Sequence, residues 1–193
     1  MIRQLQTAAL SALILLPFTG EPAVATDACE DLWYTRNLIM HRAGYCFGSK
    51  LGQAMFDTSD CSESSIALGR LEQLQVEEIR DTERELGCEK NTNRDWLNIQ
   101  DRLTRQLLEV LPINQGYGST CIGWAGEEVP LRSAPDNRSP KLGVIRPGDD
   151  VGYEHVSMGD WSFVSTYSEG WNLTGGGWYD TAQYEEVCQR YTD

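Results

Sequence analysis

The pattern of apolar and polar positions divides the chain into a helical part and a strand-rich part. In residues 29–47 the apolar positions recur at steps of three and four, the period of one helix face; they are Leu32, Ile39, Met40 and Ala43. Glu30 and Asp31 lie in the first turn and Arg42 in the last, as the helix dipole favours. Gly44 stands where a left-handed C-cap is expected. The pattern predicts a short helix that ends before Gly44.

Three further helices are predicted before residue 112. A short one covers 51–56, and a longer one opens at a capping box of Asp60 and Glu63 and ends at 86–88. The residues predicted to face the core from the longer helix are Leu68, Leu71, Leu74 and Ile79. A last helix begins at Asp95 and ends before Pro112. Its predicted buried face consists of Trp96, Ile99, Leu103 and Leu107 and extends to Val110.

Beyond residue 120 the helical period is replaced by short β-branched and aromatic runs that alternate with turn clusters. The runs are 128–132, 142–145, 151–156, 161–166 and 170–173. Short strands at this spacing predict a small barrel. Residues 113–120 form a polar connector that contains glycine, so we predict a linker there, between a helical domain at 26–112 and a barrel domain at 121–193.

The first 25 residues have the pattern of a signal peptide. Arg3 precedes an apolar run at 8–18, and Ala23-Val24-Ala25 offers a small-residue cleavage site, so we predict cleavage after Ala25. No later run approaches about 18 apolar residues, and stable membrane insertion is therefore not expected. The protein is predicted to be periplasmic or secreted.

The formal net charge is −13 at pH 7. An acidic surface repels nucleic acid and anionic lipid head groups, so we expect neither as a partner. Cationic, neutral-glycan and protein partners remain open. A solvated acidic surface that serves only solubility is an equally good interpretation.

Six cysteines follow the predicted signal peptide, namely Cys29, Cys46, Cys61, Cys88, Cys121 and Cys188. An even number in an exported chain predicts disulfides. No C-x-x-C pair is present, and we expect no metal site. If the first and the long helix lie side by side, Cys29 pairs with Cys61 and Cys46 with Cys88.

The first predicted helix resembles the YARHG domain, an uncharacterised bacterial extracytoplasmic module with a core that reads roughly L-W-Y-A-R-N-E-I-Y-A-R-H-G-Y-x-F. The matching residues are Leu32, Trp33, Tyr34, Arg36, Asn37, Ile39, Arg42, Gly44, Tyr45 and Phe47. The segment that gives the family its name is Met40-His41-Arg42-Ala43-Gly44 here, so an alanine replaces the family histidine. The likeness covers about residues 29–61.

The strand-rich part resembles a bacterial SH3-like (SH3b) domain. The segments that carry the resemblance are Leu131-Arg132-Ser133-Ala134-Pro135, Gly143-Val144-Ile145-Arg146-Pro147-Gly148-Asp149-Asp150-Val151, Gly159-Asp160-Trp161-Ser162-Phe163-Val164 and Glu169-Gly170-Trp171. The region is also similar to an uncharacterised domain often found after YARHG, and Asn172, at a position where SH3b domains usually have valine, favours that relative. Cys121 and Cys188 bracket the predicted barrel, and a bond between them would close it. The expected fold class is α+β, a disulfide-linked helical domain followed by a small SH3-like barrel.

The sequence offers little for catalysis. The two histidines, His41 and His155, fall one in each predicted domain, and no G-x-S-x-G, H-E-x-x-H or P-loop motif is present. The carboxylates at 127–128 and 149–150 are adjacent, so on strands they point to opposite faces. We expect no enzyme activity and no cofactor. A hydrolase would need a cleft with convergent carboxylates, which the sequence does not reveal.

The aromatic residues after position 150 are too many for one small barrel to bury; they are Tyr153, Trp161, Phe163, Tyr167, Trp171, Trp178 and Tyr179. Trp161, Phe163 and Trp171 are predicted to be core. The ligand-binding candidates are Tyr153, Tyr167, Trp178 and Tyr179, of which the last two follow the flexible glycines at 175–177. Tyr34 and Arg36 are weaker candidates, since an arginine on an apolar face usually has a structural carboxylate partner, here expected from the long helix.

These observations favour a non-enzymatic exported binding module of the cell envelope that recognises peptidoglycan or another envelope glycan or peptide. The alternative is a protein adaptor or inhibitor that docks a basic partner on its acidic surface.

Overall fold

A computed structural model describes residues 23–62, 65–168 and 171–192, with backbone alone for 23–27. The helices are α1 (Ala23–Arg42), α2 (Lys50–Met55), α3 (Arg70–Glu85) and α4 (Arg102–Leu107). The strands are β1 (Asn114–Trp124), β2 (Val129–Arg132), β3 (Lys141–Ile145), β4 (Asp150–His155), β5 (Trp161–Ser168), β6 (Asn172–Asp180) and β7 (Cys188–Thr192). The predicted signal peptide falls mostly outside the described residues, and its cleavage site stays a prediction.

Helix α1 ends as predicted, because Gly44 takes a left-handed conformation with φ of +89°. Its N–H donates to the carbonyl of His41 at 2.8 Å, and the N–H of Tyr45 donates to that of Met40 at 3.1 Å. Arg36 on α1 has the expected carboxylate partner, since its Nε lies 3.2 Å from Oε2 of Glu83 on α3. These contacts fix both the end of α1 and its packing against α3.

Helix α3 buries only part of the predicted face: Ile79 is in the core and Leu68 packs against it, as predicted, but the two leucines between them are exposed. Val76 and Ile79 are buried, whereas Leu71 and Leu74 are exposed. Leu74 lies two residues before Val76, about 200° around the helix, so the two cannot face α1 together. The helix begins at Arg70, after Gly69 donates its N–H to Oε2 of Glu72 at 2.8 Å. The predicted capping box included residue 63, which lies outside the described residues.

Helix α4 is shorter than predicted and turns its other face inward. The predicted core residues Trp96, Leu103 and Leu107 are exposed, and residues 95–100 are not helical. Arg105, two residues from either leucine, is instead 1% exposed. Its pairing with two carboxylates, described below, accounts for this orientation.

The strands form one seven-stranded sheet in the order β3-β2-β6-β5-β4-β1-β7, and every neighbouring pair is antiparallel. The sheet is open, with β3 and β7 at its edges, so a small SH3-like barrel is not confirmed. The α+β class holds in the coarser sense of a disulfide-linked helical region followed by an antiparallel sheet.

The predicted linker at 113–120 was wrong, because residues from Asn114 onward belong to β1. This strand pairs with β4 from Asn114 and with β7 from Thr120 onward. Its register shifts between Asn114 and Ser119, where Gly116 has a φ of +83°. A polar, glycine-containing segment can therefore extend a strand when one neighbour pairs with its ends and an irregularity accommodates the residues between them.

The helical and strand regions share a hydrophobic cluster. It contains Leu32 and Ile39 from α1, Ile79 from α3, and Phe163 and Trp178 from the sheet. The opposite part of the sheet buries a second cluster of Cys121, Trp124, Val129, Leu131, Ile145, Val151, Val164 and Tyr179. The first cluster therefore holds the helices against the sheet.

The disulfides are Cys29–Cys88, Cys46–Cys61 and Cys121–Cys188. The last pair is confirmed, but the two predicted pairings in the helical part were wrong. α3 runs antiparallel to α1, which places Cys88, after the end of α3, next to Cys29 near the start of α1. Cys46 and Cys61 are then joined by a disulfide that closes the short segment containing α2.

Candidate functional site

A cavity of about 360 Å³ lies between the helical part and the sheet. Its walls come from the start of α1, the segment 98–101, α4, and strands β1, β4 and β5, with residue 171 just before β6 and residue 173 within it. The charged and aromatic residues among its lining are Asp31, Asp101, Arg105, Glu154, His155, Tyr117, Tyr167 and Trp171.

Arg105 is at the centre of a buried charged cluster on one wall of the cavity. Its guanidinium makes a bidentate pair with Asp31, with Nη1 2.7 Å from Oδ1 and Nη2 bonded to Oδ2. Its Nε donates to Oδ2 of Asp101 at 2.8 Å, and Nη1 also donates to Oγ1 of Thr35 at 2.6 Å. Burial alone would raise the pKa of the Asp31 carboxyl, but the Arg105 guanidinium holds that pKa well below its usual range.

His155 completes this cluster from β4. Its Nε2 lies 3.1 Å from Nη2 of Arg105 and 3.4 Å from Oδ2 of Asp31. Because an arginine N–H can only donate, Nε2 accepts from Nη2 when the ring proton is on Nδ1, which itself has no hydrogen-bond partner among the described residues. All five N–H groups of Arg105 then have a partner. The cluster joins α1, α4 and β4, and it leaves the guanidinium no donor for a ligand.

The lining of the cavity also includes a further carboxylate and two aromatic rings. Glu154 makes no hydrogen bond or ion pair with any described residue. The residue as a whole is exposed, but the surrounding protein displaces water from its carboxyl and raises the pKa of that group. The rings of Tyr167 and Trp171 meet edge to face with centroids 5.7 Å apart. Trp171 is 56% exposed and has a φ of +60°, an unusual conformation for a residue with a side chain.

Of the four predicted ligand-binding residues, Tyr167 lines the cavity and the other three do not. Trp178 and Tyr179 are 0% and 1% exposed, so their proposed groove was wrong. Tyr153 packs against the second cluster, and its hydroxyl oxygen lies 3.4 Å from that of Tyr179.

The predicted flexible glycine run is the middle of β6. A Cβ on Gly176 or Gly177 would lie 3.0 Å from a backbone oxygen of the neighbouring strand. These glycines therefore let the strands approach closely. The next two residues of β6 are buried, Trp178 in the first hydrophobic cluster and Tyr179 in the second. Trp171, which was predicted to be core, is instead exposed. The weaker candidates Tyr34 and Arg36 are a buried core residue and the partner of Glu83.

Sequence reasoning did not find the carboxylates and the arginine of the cavity. Asp31 was placed only in the first turn of a helix, and Arg105 was not singled out. The available signal was the spacing of four between Asp101 and Arg105, which allows an ion pair along a helix. That spacing says nothing about Asp31 and His155, which come from distant parts of the chain.

One further group of potential ligand atoms exists among the described residues. Cys121, Glu186 and Cys188 place three such atoms within 4.8 Å of one another. The two sulfurs form a disulfide. They offer no thiolate, so this group cannot act as a thiolate metal site while oxidised.

We expect the unfolding free energy to fall with acid because of Asp31. A carboxyl with a lowered pKa in the folded state adds stability above its unfolded pKa, 3.8 for Asp31, and loses it as the pH falls below that value. The slope should be about 1.4 kcal/mol per pH unit for this one proton. Urea unfolding of the oxidised protein between pH 5 and acid should show the slope, and Asp31→Asn should remove it. Asp160→Asn, a surface change, should leave it intact; an equal slope in the Asp31→Asn protein would contradict this account.

Comparisons with known proteins give two family matches. The YARHG domain matches residues 10–84, and a domain of unknown function, DUF4453, matches residues 87–192, more than half of the chain. No curated protein and no solved structure matches. The disulfides together with the YARHG match indicate an extracytoplasmic protein. No helix in the described part of the chain is long and apolar enough to span a bilayer.

Proposed function

The chain belongs to the family of the domain of unknown function DUF4453, and we propose from its cavity that it is a non-enzymatic binding module of the bacterial cell envelope. It would act in the periplasm or after secretion and recognise peptidoglycan or another envelope glycan or peptide. The observation that carries the proposal is the exposed pair of Tyr167 and Trp171 at a cavity of about 360 Å³.

The size and walls of the cavity support this role. Small-molecule sites commonly measure about 300–1,000 Å³ and combine apolar or aromatic walls with a few polar groups. Aromatic rings provide flat surfaces on which sugar rings and peptide side chains pack. Tyr117, also exposed, lies on the β1 wall of the same cavity. The earlier likeness to SH3b domains remains part of this proposal, as a likeness in local sequence motifs.

The charged cluster supports binding better than catalysis. Arg105 is fully engaged by its neighbours, so it has no N–H left to stabilise a developing negative charge. Asp31 keeps its charge through that pairing and does not hold a proton to donate. The cluster is better suited to hold α1, α4 and β4 in fixed positions around a ligand.

A pull-down with isolated sacculi tests the proposal. The oxidised chain from residue 26 should sediment with sacculi at low salt, and Trp171→Ala should reduce its retention about tenfold, as the loss of roughly 1.4 kcal/mol predicts. Trp96→Ala, which removes an exposed tryptophan that does not line the cavity, is the matched control and should be retained like the wild type. Absence of wild-type retention at low salt would count against a cell-wall ligand.

Two observations keep other functions testable. The net charge of −13 fits an adaptor or inhibitor that docks a basic protein. Such a protein would bind its partner in a salt-sensitive way and ignore sacculi. The cavity also contains three carboxyl groups, Asp31, Asp101 and Glu154, and an envelope hydrolase would have to rely on Glu154 because Arg105 engages the other two. Clearing of peptidoglycan in a zymogram, lost in Glu154→Gln, would favour the hydrolase.

A further inference from the structure

The charge of the cavity excludes one class of ligand. Its lining contains three carboxyl groups, and Arg105 is its one lysine or arginine among the described residues. The hydrogen bonds to Asp31, Asp101, Thr35 and His155 occupy all the donors of this guanidinium. An anionic ligand group would therefore meet negative charge and find no available cationic donor. A ligand group that enters is neutral or positively charged.

Glu154, an exposed residue, differs from the two glutamates packed between elements of the helical part, Glu30 and Glu83, because it has no ion-pair partner among the described residues. Glu30 lies 2.6 Å from Nη1 of Arg94, and Glu83 pairs with both Arg36 and Lys90. Glu154 lines the cavity and makes no such pair with any described residue. Its side chain lies over Gly118 of β1, where a Cβ would come within 2.8 Å of its Cγ. The fold therefore makes room for this carboxylate beside the cavity and gives it no direct ion-pair partner among the described residues, since Arg105 acts on it only at longer range.

The two aromatic residues that line the same cavity add a second, independent observation. Trp171 keeps a large apolar surface exposed and is the one residue other than glycine with a positive φ among those described. Both features cost free energy in a free protein, and such costs concentrate at functional sites. The faces of tryptophan and tyrosine rings attract cations.

We propose that the cavity binds a primary ammonium group of an envelope ligand, with the Glu154 carboxylate as its counter-ion and the Tyr167 and Trp171 rings around its carbon chain or sugar ring. This inference rests on the proposed binding function of the same cavity and specifies the chemistry of its ligand. Two sources share that chemistry, namely the amine of a peptide side chain and the amine of a sugar without its acetyl group.

Paired probes test the inference directly. Nα-acetyl-lysine methylamide is compared with its Nε-acetylated form, and glucosamine with N-acetylglucosamine, by amide chemical shifts and tryptophan fluorescence. We expect a free amine to shift residues 117, 154, 167 and 171, its blocked form not to, and added salt to weaken the effect. The pair that responds identifies the source.

Matched variants test the role of the carboxylate. Glu154→Gln keeps the shape of the side chain and should weaken amine binding about tenfold or more. Glu127→Gln removes the same charge from an exposed position that does not line the cavity, and it should bind like the wild type. The inference is overturned if blocked and free amines bind alike, if Glu154→Gln binds normally, or if no amine shifts these residues at about 50 mM, a concentration that detects very weak binding.

The two proposals can fail separately. Retention on sacculi together with indifference to the amine probes would leave the binding module intact and overturn the ammonium site. Amine binding without retention on sacculi would leave the ammonium site intact and remove the cell wall as its source.

Discussion

Replacing Arg105 with methionine is expected to lower the unfolding free energy by about 3–5 kcal/mol, because it leaves two buried carboxylates without their counter-charge. Asp31 and Asp101 both pair with this guanidinium, and each is buried or nearly so. Equilibrium urea unfolding of the oxidised protein at pH 7 measures the loss. Arg138→Met, at a side chain that is 92% exposed, should change stability by less than about 1 kcal/mol.

Further variants separate lost charge pairing from lost packing. Adding Asp31→Asn and Asp101→Asn to Arg105→Met should recover part of the stability, because the uncompensated charges are then gone. Arg105→Lys should fall between wild type and Arg105→Met, since an ammonium keeps the charge but cannot make the bidentate pair. If the triple variant were no more stable than Arg105→Met alone, the cost would lie in packing and the electrostatic explanation would be wrong.

Features that depend on a few neighbouring residues were predicted correctly. The end of α1 at Gly44 follows from capping geometry, because a left-handed residue there satisfies the last carbonyls of the helix. The carboxylate partner of Arg36 was expected because a charge on an apolar face must be paired. In both cases, the local rule is strong enough that tertiary packing does not change the outcome.

Features that depend on how elements face one another were not predictable. The apolar periodicity of residues 96–107 favoured burial of leucines, yet a buried ion pair turned α4 so that Arg105 faces inward. The partners of Arg105 come from positions more than 45 residues away on either side, at Asp31 and His155. No pattern within one segment contains that information. The candidate site consists of such contacts. Of its lining residues, Tyr167 is therefore the one that the sequence had offered as a ligand-binding candidate.

The aromatic residues show the same limit within the sheet. A glycine run before Trp178 and Tyr179 suggested a flexible arm, whereas in β6 the glycines permit close contact between central strands. Trp171 was predicted to be a core residue from its motif but lies in the turn just before β6, in a left-handed conformation. Glycines and aromatic residues occur both in buried strands and in exposed segments, and only the order of the strands determines which of them are buried.

Removing the Cys29–Cys88 bond is expected to have a comparably large effect. The bond closes a loop with a sequence separation of 59, for which the chain-entropy treatment gives about 4 kcal/mol. The Cys46–Cys61 bond closes a loop with a separation of 15 and should contribute about 3 kcal/mol. Urea unfolding of the double-alanine variant of each pair, compared with the fully oxidised wild type, measures both losses. The variant without Cys29 and Cys88 should be the less stable of the two.

The same two variants test the pairing itself. With the pairs Cys29–Cys88 and Cys46–Cys61, each double-alanine variant removes a whole disulfide and leaves no reactive thiol in the unreduced, denatured protein. With the alternative pairs Cys29–Cys61 and Cys46–Cys88, either variant would break two bonds and leave two cysteines without their partners. Because two cysteines left without their partners could also pair with each other, peptide mapping of the unreduced wild type distinguishes the pairings directly, without relying on the size of the stability change. Two titratable thiols in the variant that lacks Cys29 and Cys88 would show that Cys46 and Cys61 are not a pair. The antiparallel link between α1 and α3 would then be wrong, and with it the arrangement that places the cavity between α1, α4 and the sheet.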